Sequence, residues 1–180
     1  MLGDSLSAEY GLKRGTGWVA LLEERLAAQD MAATVVNASI SGETTAGGRS
    51  RLGSLLSQHR PSHLIIELGA NDALRGLSLH MTEDNLNEMA RMARQANAQL
   101  LLLGMRLPPN YGQTYGQRFA ALFGRVAKAG NAGLVPFLLK GVADVADSES
   151  MFQADRIHPK EAAHPIMLAN VWPELKKLLK

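Results

Sequence analysis

The chain contains no cysteine. That excludes a disulfide framework, a thiol nucleophile and a thiolate-bound metal centre, and it suits a reducing or an oxidising compartment equally. No apolar run approaches the ~20 residues that a membrane-spanning helix requires, so stable membrane insertion is not expected. Neither sign of charge dominates: 19 Lys and Arg stand against 17 Asp and Glu, for a formal net charge of +2. The basic residues are scattered, apart from the closing Lys176, Lys177 and Lys180, which suit the C-terminal pole of a helix dipole. Aromatic residues make up only 5%, and no basic stripe is interleaved with them, which argues against nucleic acid as a partner. There is no internal repeat, low-complexity tract or linker. No signal peptide is recognisable, as is also true of any processed chain.

What remains is ordinary globular material. With 180 residues, 46% apolar and 20% charged, the chain is long enough for one domain, residues 1–180, with a sizeable core. Short apolar runs bounded by Gly, Asn, Pro or Ser predict buried strands at 34–38, 63–68, 99–103 and 133–138. Helical periods lie between them. Trp18, Leu21, Leu22 and Leu26 share one face, and Leu52, Leu55 and Leu56 another. Leu86, Met89, Ala90 and Ala93 follow Thr82, a candidate N-cap. Phe119, Leu122, Phe123 and Val126 form a fourth stripe. A last helix is expected from Pro165, with Pro173 kinking it or breaking it in two. Alternating strands and helices predict parallel strands joined by right-handed crossovers, with helices on both faces: an α/β sandwich. In such sheets ligands bind beyond the carboxyl ends of the strands.

Four loops fall there: GDSLS (3–7), NASISGETT (37–45), GANDALRG (69–76) and ADRIHP (154–159). Together they supply the parts for acyl transfer. A serine hydroxyl is a weak nucleophile and needs an adjacent base; an imidazole, with an ordinary pKa near ~6.5, suits that task at neutral pH. The imidazole needs an acceptor on its other nitrogen to hold the right tautomer. Asp155 and His158 are three residues apart, within one turn. An oxyanion needs donors: the backbone N–H of Gly42, the side-chain amide of Asn71, and the N–H of Ser5 if a helical turn begins there. Each block alone reads as an ordinary turn or helix cap. All four, in the expected loops, do not.

The four blocks resemble those of the SGNH (GDSL) hydrolase family, and within it the bacterial multifunctional thioesterase I / lysophospholipase L1 / arylesterase type. The resemblance extends over MRLPPNYG (105–112), LVPFLL (134–139) and NVWP (170–173). It implies a three-layer α/β/α, flavodoxin-like sandwich with a five-stranded parallel sheet. It implies Ser5 as nucleophile, His158 as base and acid, Asp155 as its orienting group, and Ser5, Gly42 and Asn71 as the oxyanion hole. Leu74 and Leu77, in the loop after the Asn block, with Leu107, Pro108 and Ile157, would contact an acyl chain. The implied substrates are small acyl esters or thioesters, including aryl esters, acyl-CoA and lysophospholipids, with no cofactor and no metal. The implied location is periplasmic or secreted, a cytoplasmic one remaining open. Oligomeric state is not legible. In one respect the chain departs from the pattern: only Met1 and Leu2 precede Gly3 where the family carries an apolar strand. A shortened first strand is therefore expected and, if residues are truly lost there, lowered stability and a loosely held Ser5.

Competing candidates have simpler roles. His59, His63 and His80 are expected to be structural or solvated, and His164 is the nearest rival to His158 but has no aspartate three residues before it. Ser39 and Ser41 shape the loop that aims Gly42. Asp4 can hydrogen-bond loop amides, and Asp72 can anchor a loop. The alternative function is a binding module, with GDSLS holding a phosphate or flavin phosphate at a helix N-terminus. That alternative leaves Asn71, Asp155 and His158 without a task.

Overall fold

The computed structural model describes residues 1–179; Lys180 lies outside them. Four strands, β1 (Leu2–Gly3), β2 (His63–Glu67), β3 (Gln99–Leu103) and β4 (Gly133–Val135), form one parallel sheet in the order β1-β2-β3-β4. Leu2 pairs with Ile66, Leu64 with Leu100, and Leu102 with Leu134. The apolar runs were expected to be covered on both sides, and Leu64, Ile66, Leu101, Leu102 and Leu103 are buried.

Among the described residues there are six α-helices: α1 (Trp18–Ala28), α2 (Thr45–His59), α3 (Ala70–Leu74), α4 (Leu79–Gln95), α5 (Gln113–Gly130) and α6 (His164–Leu178). Helix α1 packs on α6, and α6 reaches β3 and β4; α2 packs on α4 and α4 on α5, with both α4 and α5 against the sheet. The stripes read from the sequence face inward. Trp18, Leu22, Leu52, Leu86, Met89, Phe119, Phe123 and Val126 are all buried, with Phe119 and Phe123 edge to face at 5.3 Å. Burying one such side chain stabilises the fold by ~1.5–3 kcal/mol relative to leaving it exposed.

Several expectations are corrected. The sheet has four strands, not five. Residues 34–40 run extended beside β1, with Ala38 N–H donating to Met1 O (2.9 Å) and Ile40 N–H to Gly3 O (3.0 Å). The Met1 amino group also donates to Val36 O (2.7 Å), and Val36 and Ile40 are exposed. Strand β4 ends at Val135 because Pro136 has no N–H to continue it. Helix α4 starts four residues earlier than expected: Ser78, not Thr82, is its N-cap, accepting from Met81 N–H, and Thr82 is buried one turn in. Helix α6 is not broken in two at Pro173, because Met167, Val171, Trp172 and Leu175 bury its inner face on both sides of the proline. Lys176 and Lys177 lie in its last turn, as the charge pattern suggested.

Candidate active site

Three strands end in a common region. Strand β1 delivers Asp4 and Ser5, β2 delivers the chain to Asn71, and β3 leads into 104–108. The fourth contributor, residues 153–159, closes on itself. Gln153 N–H donates to His158 O (2.8 Å), and its side-chain amide donates to Tyr10 O (2.9 Å) and Pro159 O (3.1 Å). Asp155 Oδ1 accepts from the backbone N–H groups of Ile157 and His158, both at 3.0 Å. These bonds make a tight turn, with Arg156 in the left-handed region at φ 57°.

The turn presents His158 to Ser5. Ser5 Oγ lies 2.8 Å from His158 Nε2, and His158 Nδ1 lies 2.6 Å from Asp155 Oδ2. The Tyr10 ring lies against the imidazole, with centroids 4.3 Å apart. Burial works upward on the Asp155 pKa. It is outweighed by the hydrogen bonds from the His158 and Ile157 backbones and the His158 ring, which hold the carboxyl at about 2. Asp155 is therefore an anion at neutral pH and holds the ring through Nδ1.

Ser5 follows Asp4 in a helix-like turn: Ala8 N–H donates to Asp4 O (2.9 Å), and Asp4 Oδ1 accepts from Leu6 N–H (3.0 Å). The first N–H groups of such a turn have no acceptor within it, which leaves that of Ser5 for a ligand. Gly42 has φ 77°, a left-handed conformation open to glycine at little cost, and its carbonyl is held by Arg75 Nη2 at 2.9 Å. The Asn71 amide is fully engaged, donating to Asp4 Oδ2 (2.9 Å) and to Glu43 O (3.0 Å). The second bond ties α3 to the loop that carries Gly42.

A cavity of about 920 Å³ adjoins Ser5 and His158. Leu74, Leu107, Pro108 and Ile157 line it. Leu77 does not: after Gly76 the chain turns back, Leu77 N–H bonding to Asp72 O, and the side chain is 45% exposed. Sequence reasoning missed Met105, Tyr111, Phe137, Leu139 and Phe152 in this wall. They come from loops whose approach depends on packing, and only their position after β3 and β4 hinted at them. His164 is buried and remote in role, its Nδ1 accepting from Trp18 N–H at the start of α1. His63 bonds Leu178 O, and His80 is solvated beside Asp84. Asp72 is buried and takes hydrogen bonds from Thr45 and Thr82. No cluster of three metal-ligating side chains occurs among the described residues, nor any helix long and apolar enough to cross a membrane.

A hydroxyl, an imidazole and a carboxylate in hydrogen-bonded series at the carboxyl edge of a parallel sheet define a hydrolase-type centre. The model of the GDSL-like Lipase/Acylhydrolase family matches residues 1–166. The chain belongs to this family of carboxylic ester hydrolases. It is 51% identical over 179 residues to esterase TesA of Pseudomonas aeruginosa, covering 99% of this chain and 88% of the relative. It is 38% identical over 179 residues to thioesterase 1/protease 1/lysophospholipase L1 of Escherichia coli K12, covering 99% and 83%. The fold superposes on the crystal structure of the psychrotrophic esterase EstA from Pseudoalteromonas sp., inhibited by monoethylphosphonate. The TM-score is 0.91 and the identity 39%, with 99% of this chain and 96% of that one covered.

Proposed function

We propose that the chain is a serine esterase that hydrolyses small acyl esters and thioesters through an acyl-enzyme on Ser5. The observation that carries this reading is the series Asp155 Oδ2, His158 Nδ1, His158 Nε2, Ser5 Oγ, with spacings of 2.6 and 2.8 Å. His158 Nε2 takes the Ser5 proton as Oγ attacks the carbonyl carbon. Asp155 holds the ring and stabilises the imidazolium. The tetrahedral oxyanion draws on the N–H groups of Ser5 and Gly42 and on the Asn71 amide. His158 then protonates the leaving alcohol or thiol. Water, deprotonated by the same nitrogen, attacks the acyl-enzyme, and collapse of the second intermediate frees the acid and restores Ser5. Every step uses groups of this chain.

The acyl group sits in the 920 Å³ cavity against Leu74, Leu107, Pro108 and Ile157, a lining suited to aryl and fatty acyl groups. The names of the Escherichia coli and Pseudomonas aeruginosa relatives support thioester, lysophospholipid and ester substrates. The inhibition of EstA by monoethylphosphonate accords with a site that stabilises a tetrahedral centre. A periplasmic or secreted location accords with the family resemblance. The test is Ser5→Ala. On p-nitrophenyl acetate its kcat falls on the order of 10⁶-fold, by analogy with triad knock-outs, and a fluorophosphonate probe labels the parent chain but not the variant. Near-full activity in the variant refutes the proposal.

A further inference from the structure

Behind Ser5 lies a pair of carboxyl groups with no part in the steps above. Asp4 and Glu67 are 1% and 0% exposed. Their proximity follows from the sheet register, because Gly3 pairs with Glu67 at the ends of β1 and β2. Glycine at position 3 leaves room for this approach: a Cβ there would lie 2.8 Å from Met1 Cε and 2.9 Å from both Glu67 Oε2 and Ser7 Oγ.

The two carboxyls receive different partners. Asp4 is used purely as an acceptor, by Leu6 N–H on Oδ1 (3.0 Å) and by the Asn71 amide on Oδ2 (2.9 Å). Glu67 Oε2 accepts from Asp4 N–H (3.2 Å) and Ser7 Oγ (2.9 Å), while Oε1 is buried and accepts no hydrogen bond. Neighbouring carboxylates in the interior do not both ionise. The acceptor role of Asp4 favours the charge there, and the unpartnered Glu67 Oε1 favours the proton on Glu67. Burial raises the pKa of both groups, and further for Glu67, where the Asp4 charge adds to it. The charged groups acting on Asp4 are Glu67 from β2 and His158 from the 153–159 turn; on Glu67, Asp4 alone acts.

We propose that Asp4 and Glu67 hold a single proton, carried by Glu67, and that the ionised Asp4 is a positioning residue that fixes the Asn71 amide for the oxyanion. The inference rests on the esterase reading of Ser5 and Asn71. With one hydrogen on the Asp4 carboxylate and the other on Glu43 O, the amide plane is set before substrate arrives. The developing oxyanion is a stronger acceptor than a peptide carbonyl and competes for the hydrogen directed at Glu43 O. The Asp4 carboxylate keeps the other. The donor thus meets the charge with its plane already set, exchanging one hydrogen bond.

The test uses the full chain, with kcat expressed per site titrated by fluorophosphonate. Asp4→Asn lowers kcat on p-nitrophenyl acetate by ~10–100-fold, less than outright loss of an oxyanion donor, with KM little changed. It also removes one ionisation from the acid limb of the pH profile. Glu67→Gln, a neutral group of the same shape, retains far more kcat than Glu67→Leu. Carboxyl carbon NMR of the unsubstituted chain at pH 8 shows Glu67 protonated and Asp4 ionised, whether or not the variants fold. Both groups ionised at pH 8, or Asp4→Asn with full kcat per site and an unaltered acid limb, overturns the inference. The esterase reading fails separately, by activity that survives Ser5→Ala.

Discussion

Replacing Asp72 by alanine tests whether the loop carrying Gly42 is anchored from beneath the site. Asp72 is 2% exposed. Its Oδ2 accepts from Thr45 N–H at 2.9 Å and its Oδ1 from the Thr45 hydroxyl, with a longer contact to Thr82 Oγ1 at 3.4 Å. Thr82 Oγ1 also bonds Ser78 O at 3.1 Å, so it loses little. Thr45 is fully buried, and in the variant its N–H and hydroxyl both lose their acceptor. Each orphaned donor costs ~1–3 kcal/mol. Relief of the buried carboxylate's desolvation offsets part of that sum. The expected net loss is about 3 kcal/mol, or a fall in Tm of roughly 6–12 °C for a chain of this size. Thr45 opens α2 immediately after the segment that holds Gly42, so the loss reaches the site. In urea unfolding monitored by tryptophan fluorescence, Asp72→Ala shifts the midpoint down. In parallel assays its kcat on p-nitrophenyl acetate falls by more than its KM rises. A Tm within ~2 °C of the parent, or unaltered kcat, refutes this account of the anchor.

Asp4 and Asp155 contribute to stability with opposite dependence on pH. Asp4 has a folded pKa raised from 3.8 to about 6, so its contribution is full below the unfolded value and is lost as pH rises through the folded one. Asp155 is depressed from 3.8 to about 2, so its contribution is present above the unfolded value and lost as pH falls toward the folded one. Urea midpoints measured from pH 3 to 8 for the parent chain and for Asp4→Asn give the Asp4 contribution by difference: between pH 4 and 7 the parent loses stability relative to the variant, and an identical pH dependence of the two refutes the assignment. Asp155→Asn loses the anion that selects the His158 tautomer, and its kcat falls on the order of 10⁴-fold while fluorophosphonate labelling slows in proportion. Labelling at the parent rate would show that Asp155 only shapes the turn.

How much of this was legible in the chain differs from element to element. The runs at 63–68 and 99–103 could only be buried strands, since nothing polar interrupts them before their carboxyl ends. The stripe of Phe119, Phe123 and Val126 could only face a core. The run at 34–38 reads equally well as a strand, yet it lies at the sheet edge with Val36 exposed, joined to residues 1–3 by single backbone hydrogen bonds rather than as a full strand. Pro173 looked like a helix breaker because propensity is local, whereas the packing of Val171, Trp172 and Leu175 is not. Leu77 and Leu74 look alike three residues apart, and only the turn at Gly76 separates the one that lines the cavity from the one that does not.

The sequence by itself determined the class of sheet, the helix faces and the four blocks with their chemical groups, because periodicity and residue type are properties of the chain. Only the tertiary structure decided that Ser5 and His158, 153 residues apart, come within 2.8 Å. It alone decided which leucines meet the cavity, and that the Asn71 amide rests on a buried aspartate beside Glu67. Those outcomes depend on register and on the approach of loops from different strands, and no local pattern encodes a distance between them.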